Sequence, residues 1–317
     1  MYFPFLRGKQ FELKALKDFY DENPEERFIV PIIEPVNKSY RALEPALLAL
    51  RKGNHPYAII MNPNEGDFRH KSIKFTLPLE NQSLFMPDGG WIPGYLCDKY
   101  TEQSVLDILN SNRYTDVMLV YQAGIDLENE LTNRVITHHN VGYIVVYFHS
   151  TPSPRIKKAL IGTGKRIVYM EDCFNTKKRN ADYAAIPDEP YSSLFSFYQD
   201  ERYYGFSDYA SLSSEVNDGG MLPYALAIHL TYLKSEDEIY IHHFVSDSNY
   251  DQTNIKGKFQ EAALKIQPFF DEGEYHKTPS VLELIDRAEK PDGYPNLGYL
   301  KKLSVKNHFE LIVYFKG

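Results

Sequence analysis

Cysteine, tryptophan and long apolar runs are scarce in this chain of 317 residues. Its two cysteines, Cys97 and Cys173, show no metal-type spacing, and there is a single tryptophan. A metal site built on cysteine pairs is thereby excluded. No apolar stretch approaches the roughly 18 residues that a membrane-spanning helix needs, and the opening Met-Tyr-Phe-Pro-Phe-Leu-Arg-Gly lacks a signal-peptide pattern. No membrane association is expected, and a reducing cytoplasm is the expected location. Long runs of like charge are absent too. The net charge of -8 argues against a general nucleic-acid binder, which needs a basic face for phosphates, although a local basic pocket remains compatible with it. There is no P-loop, no G-x-G-x-x-G after a strand, no G-x-S-x-G elbow and no Cys–His nucleophile pattern. Walker-type NTP hydrolysis, a Rossmann dehydrogenase and an α/β-hydrolase fall away with them.

What the chain does have is aromatic side chains, 25 Tyr and 19 Phe, within an ordinary apolar content of 43%. A large core is within reach. Short apolar runs recur, each about as long as a strand buried on both faces and each ending abruptly in polar or turn residues. They are Phe28 to Ile33, Tyr57 to Met61, Trp91 to Leu96, Val117 to Tyr121, Tyr143 to Phe148, Ile167 to Met170, Tyr203 to Phe206 and Tyr224 to Leu230. Between several of them lie segments with helical spacing: Glu44 to Lys52, Thr101 to Asn110, Leu127 to His138 and Ser153 to Ile161. Alternation of buried strand and amphipathic helix is the signature of a parallel sheet with helical crossovers. Eight strands suit an α/β fold of the (β/α)8, TIM-like barrel type, irregular before its last strand. Ile239 to Val245 follows too closely for a helical crossover and reads as an antiparallel excursion. Residues 1–250 are expected to form the barrel-like core, and 251–317 a C-terminal helical cap on the same domain, with Leu297 to Phe315 ambiguous between helix and strand.

Parallel α/β folds bind ligands beyond the carboxyl ends of their strands. On this reading Glu34, Asn62, Gln122, His149, Glu171, Asp172, Asp208 and His229 converge on one mouth. Alternation turns His229 inward, on the face of Ala225, Ala227 and Thr231, and His149 inward beside Tyr147. An Asp/Glu/His set of this kind could hold a divalent metal or supply an acid and a base without one. Arg7 and Lys9, just before a helix that runs to about Tyr20, would make an anion site through charge and free backbone N–H groups. His242 and His243 form a further polar cluster in which one of the two histidines faces any given side.

Four stretches carry a resemblance. They are Tyr2-Phe3-Pro4-Phe5-Leu6-Arg7-Gly8-Lys9-Gln10-Phe11-Glu12-Leu13, then Val30-Pro31-Ile32-Ile33-Glu34-Pro35-Val36, then Gly205-Phe206-Ser207-Asp208-Tyr209, and lastly Ala227-Ile228-His229-Leu230-Thr231-Tyr232 with Ile241-His242-His243-Phe244-Val245-Ser246-Asp247. In these the chain resembles the bacterial and phage "beta protein" family. The stretches span nearly the whole chain, so the resemblance implies a shared fold. It also points to Arg7, Glu12, Glu34, Asp208 and His229, and to a role in conflict with phage, because relatives occur in mobile and defence-related gene neighbourhoods. It transfers no activity.

The expectation is a defence-associated barrel enzyme, a hydrolase of phosphodiesterase type, acting on a phosphorylated or nucleotide-like substrate at the C-terminal mouth. Glu34, Glu171, Asp208 and His229 would do the chemistry. Arg7, Lys9, Asn62, Gln122, His149 and His243 would hold the ligand. The alternative is a module that senses a ligand or a phage component and works with a partner protein from the same gene neighbourhood.

Overall fold

A computed structural model describes residues 1–69, 75, 90–148, 152–215 and 222–316. The described chain divides into two compact units. The first comprises 1–13, 23–172 and 197–209, and the second 14–22, 173–196 and 210–317.

The first unit is a (β/α)8 barrel-like fold. Its strands are β1 (Phe5–Leu6), β2 (Ile32–Ile33), β3 (Tyr57–Ile60), β4 (Trp91–Leu96), β5 (Val117–Tyr121), β6 (Val141–Tyr147), β7 (Arg166–Met170) and β9 (Gly205–Ser207), hydrogen-bonded in that order and parallel throughout. The ring closes through the first residues of the chain. Tyr2 bridges Ile29 on one side and Phe206 on the other, both parallel. Phe3 N donates to Phe206 O at 2.8 Å and Phe5 N to Asp208 O at 2.8 Å. Helices α2 (Leu43–Lys52), α3 (Glu102–Asn110), α4 (Glu130–Ile136) and α5 (Pro154–Gly162) follow β2, β4, β5 and β6. Each begins or ends as its sequence dictates. Asn129 caps α4 by accepting from Leu131 N at 2.8 Å, and Ser153 caps α5 ahead of a first-turn proline. The lumen is filled by alternate residues of the strands, among them Phe3, Phe5, Val30, Ile32, Ile60, Val120, Val145 and Met170.

The expected eighth strand is therefore corrected. Tyr224 to Leu230 is not part of the barrel, and residues 2–6 take the place assigned to it. Pro4 hides them, since proline cannot donate to a ladder and reads as a strand breaker. Here the amides of Phe3 and Phe5 make the bonds to β9, while the Pro4 carbonyl accepts from Ile32 N at 2.8 Å.

In the second unit, β10 (Ala227–Ser235) and β11 (Glu238–Val245) form an antiparallel hairpin, and β8 (Asp188–Ser192) pairs with the far edge of β11. The antiparallel excursion was expected, but its partner β10 belongs to this sheet. A two-residue turn at 236–237 commits the two strands to each other. From β8 the chain reaches β9 through the short helix α6 (Leu194–Phe197). One face of the sheet, with Leu226, Ile228, Leu230, Tyr232 and Phe244, packs on α7 (Ile255–Ala263), α8 (Ile266–Glu272) and α9 (Pro279–Ala288). The ambiguous C-terminal stretch is a helix, α10 (Leu297–Lys316), buried over most of its circumference. Lys302 and Lys306 are buried along it and bond Asp18 and Glu22 at 2.7 Å each, from the helix α1 (Gln10–Glu22), whose residues 14–22 belong to this unit. Asn307 donates to Thr231 O at 2.9 Å and accepts from Thr278 Oγ1 at 2.7 Å. No helix of the described residues is long and apolar enough to cross a membrane.

A side chain at Gly205 tests the closure. A Cβ there would lie 2.5 Å from Met1 O and 2.6 Å from the Phe3 ring. Gly205→Ala is expected to cost about 1–3 kcal/mol through overpacking of the seam. Gly162→Ala, at the end of α5 with nothing within 4 Å of its Cβ, should be neutral or stabilising. Urea unfolding of both variants measures the difference.

Candidate active site

Strand alternation decides which polar residues enter the barrel mouth. On β1, Phe3 and Phe5 face the lumen, so Arg7 is the next inward residue; on β2, Val30 and Ile32 lead to Glu34 in the same way. The two meet. Arg7 Nη1 forms an ion pair with Glu34 Oε2, with the Glu34 side chain wholly buried and that of Arg7 12% exposed. Glu34 Oε1 accepts from Asn64 N at 3.0 Å. The Arg7 guanidinium lies over two rings, 5.2 Å from the centroid of Phe5 and 5.5 Å from that of Tyr209. Gln122 donates from Nε2 to the Tyr209 hydroxyl at 3.3 Å. Gly8 lets the two segments approach: it has φ +60°, and a Cβ would lie 2.7 Å from Glu34 O, so only glycine fits without strain.

Burial pushes the Glu34 carboxyl above the usual glutamate value, against the pull of the Arg7 charge and the Asn64 amide. Burial likewise raises the Tyr209 hydroxyl, with Arg7 opposing and Asp172 and Glu34 adding to the rise. Arg7, Glu34, Gln122 and Tyr209 thus form one hydrogen-bonded and charged cluster, on the aromatic floor of Phe5. A buried ion pair is a poor way to gain stability compared with apolar residues of the same volume, and perturbed carboxyls of this kind concentrate at functional sites.

Several expected members stand elsewhere. Asp208 is buried, but its Oδ1 accepts from the Tyr2 hydroxyl at 2.5 Å, on the face of the sheet opposite the lumen. Counting alternation from the lumen side shows why: Tyr209, not Asp208, is the inward residue. Glu171 likewise follows the inward Met170 and faces away. Asn62 reaches the mouth, yet both ends of its amide are used by Leu96, Nδ2 to O at 2.9 Å and Oδ1 from N at 2.8 Å, so it pins the end of β4. Arg7 and Lys9 do not frame an open helix terminus. The first turn of α1 carries Glu12, which accepts from Arg7 N at 2.7 Å and satisfies that charge from within the chain. The Lys9 carbonyl accepts from Leu13 N at 3.0 Å. His149 lies outside the described residues. Tyr209 was missed as a site residue.

His229 and His243 are corrected together. Both lie on the hairpin of the second unit, directly paired across β10 and β11. Their Nδ1 atoms are 2.7 Å apart, and His243 Nε2 is 3.2 Å from Glu189 Oε1. Asn175 Nδ2 donates to the other Glu189 oxygen at 2.7 Å. The rings of Phe174 and Tyr183 stand against both imidazoles, with centroids 4.5 to 6.0 Å away. Burial drives both histidines down, His243 to about 4, and His229 well below its ordinary value with help from His243 and Lys301. A cleft of about 330 Å³ in this unit is lined by His242, His243, Asp247 and Lys265 among others. Of the four expected catalytic residues, Glu34 pairs with Arg7, Asp208 with Tyr2, and His229 belongs to the second unit. Among the described residues, no group of three or more His, Cys, Asp or Glu could hold a metal ion.

No family model and no curated protein matches the chain. Solved structures similar to it include (S)-3-O-geranylgeranylglyceryl phosphate synthase from Thermoplasma acidophilum in complex with its substrate sn-glycerol-1-phosphate. The identity is 13% and the TM-score 0.26, over 53% of this chain and 83% of that one. At that level the likeness carries no argument about ligand or chemistry.

Two pH dependences follow, of opposite sign. Glu34 holds its proton more tightly folded than unfolded, so its contribution to stability is lost as pH rises from the ordinary glutamate value through its raised folded value. Glu34→Gln should flatten that slope. His243 is harder to protonate when folded. The stability it confers is complete above about pH 6.5 and is lost as pH falls toward about 4. Denaturant unfolding across pH should show an acid limb on the order of 2–3 kcal/mol that is reduced in His243→Gln.

Proposed function

We propose that the chain is a barrel enzyme whose reaction centre is the Arg7–Glu34–Gln122–Tyr209 cluster at the C-terminal mouth, and that its substrate carries a phosphate or similar anionic group. The observation that carries this reading is the ion pair of a wholly buried glutamate with a partly exposed arginine at the strand ends. Arg7 offers a planar set of donors suited to phosphate oxygens, with its guanidinium over the Phe5 and Tyr209 rings. An anion arriving at Arg7 competes with Glu34 for the guanidinium. As the pair loosens, burial raises the carboxyl further, so Glu34 is poised to exchange a proton with the substrate. Tyr209, hydrogen-bonded to Gln122, supplies a neutral hydroxyl beside the reacting group.

Membership of the "beta protein" family is part of this proposal. Its support is that Arg7, Glu12 and Glu34, from the first two resembling stretches, touch one another: the Arg7 amide bonds Glu12 and its guanidinium pairs with Glu34. The role in conflict with phage is carried by the resemblance alone.

The reading is tested by calorimetric titration with inorganic pyrophosphate and by a turnover screen of phosphate mono- and diesters. Arg7→Met should weaken pyrophosphate binding at least tenfold, the size expected from a lost charge-assisted bond of about 1.5–3 kcal/mol. Glu34→Gln should keep binding and lose turnover by two orders of magnitude or more, as for removal of a proton-transfer group. Equal binding by wild type and Arg7→Met would sink the proposal.

A further inference from the structure

The histidine pair of the second unit is arranged as a proton relay with one open end. Glu189 accepts from Asn175 Nδ2 at 2.7 Å, and the Lys177 ammonium lies 3.9 Å from the same carboxylate. It can only accept, so the facing His243 Nε2 must carry a hydrogen. His243 is neutral, because burial holds it down to about 4, and its Nδ1 is therefore a bare lone pair. The only donor that can fill the 2.7 Å contact is His229 Nδ1–H. That leaves His229 Nε2 as the free end. It makes no hydrogen bond to any described residue and retains solvent exposure in a half-buried ring. Sheet geometry forces the alignment, since His229 and His243 are direct cross-strand partners and Glu189 lies on the adjacent strand β8.

We propose that His229 Nε2 is the general base of a site in the second unit, which takes a proton from a hydroxyl or water on a small anionic ligand held against Phe174 and Tyr183. Lys177 stands 3.9 Å from Glu189 and the Lys301 charge acts on His229, and these two cations give the ligand its sign. Beside the relay are also Tyr183, whose hydroxyl accepts from Lys177 N at 3.1 Å, Asn175, and His242, whose charge acts on His243. The protons balance. As His229 Nε2 takes one, its Nδ1–H passes to His243 Nδ1, leaving a His243 imidazolium between His229 and the Glu189 carboxylate. The positive charge thus ends beside a fixed negative one, the role a carboxylate plays behind any catalytic histidine. His243 and Glu189 are positioning residues and His229 the catalytic one.

Diethyl pyrocarbonate acylates unprotonated imidazole and reads the open nitrogen directly. In the full chain, peptide mapping should show His229 modified at a rate that stays flat from pH 7.5 to 5.5, while N-acetylhistidine slows as it protonates. Glu189→Gln keeps an oxygen acceptor for His243 but removes the charge; it should slow acylation of His229 about tenfold and leave the exposed His139 unchanged. Inorganic phosphate should protect His229 in the wild type and not in Lys301→Ala. An unreactive His229 beside a reactive His139, or a rate indifferent to Glu189→Gln, would overturn the relay. Absence of phosphate protection would overturn the anionic ligand.

Discussion

The barrel depends on a short strand with little to recommend it: residues 2–6, one of them proline, which bond to β2 on one side and β9 on the other. A sheet of parallel strands left open would present two rows of unpaired amides and carbonyls and an unfilled lumen. The N-terminal segment supplies both the missing ladder and two of the largest lumen side chains, Phe3 and Phe5. The next inward position is Arg7, so the residue that completes the wall also sets a cation in the mouth. Closure and site are one event in the chain, separated by a single alternation step.

The mouth is economical in its polar groups. Glu12 answers the amide of Arg7, Glu34 its guanidinium, Asn64 the second oxygen of Glu34, and Asn62 the end of β4. Every one of these residues follows a strand terminus or opens the first turn of α1, where backbone groups lack ladder partners. The second unit solves a similar problem with a sheet of three antiparallel strands. One of its faces is apolar against helices. On the other, the histidines and Glu189 form a chain in which each member fixes the hydrogen position of the next.

Much of the barrel was legible because strands buried on both faces announce themselves as apolar runs, and seven of the eight were found that way. The site was legible only in part, for two physical reasons. The strand-end rule selects a level along the barrel axis but not a side. Alternation selects the side, and applied to β9 it favours Tyr209 over Asp208. The second reason is that an antiparallel hairpin and a buried parallel strand look alike over seven residues. Ala227 to Leu230 has the small-and-large alternation of a barrel strand, and only the tight turn at 236–237 reveals its real partner. Helix α10 was ambiguous because it is buried nearly all round. Lys302, Lys306, Asn307 and His308 interrupt any apolar stripe, and each is satisfied by a partner far away in sequence.

That distance has a consequence for how the molecule comes to be made. Asp18 and Lys302 are 284 positions apart, as are Glu22 and Lys306. Phe19 of the same stretch packs against Phe309, a partner that exists only when α10 has been synthesised. At ribosomal speeds of roughly 5–20 residues per second, Asp18, Phe19 and Glu22 wait for tens of seconds without these partners. Contacts of such sequence separation also make the final assembly slow. The nascent chain is thus a natural client for a chaperone, and the interval before the last helix emerges is when the protein is most exposed to aggregation.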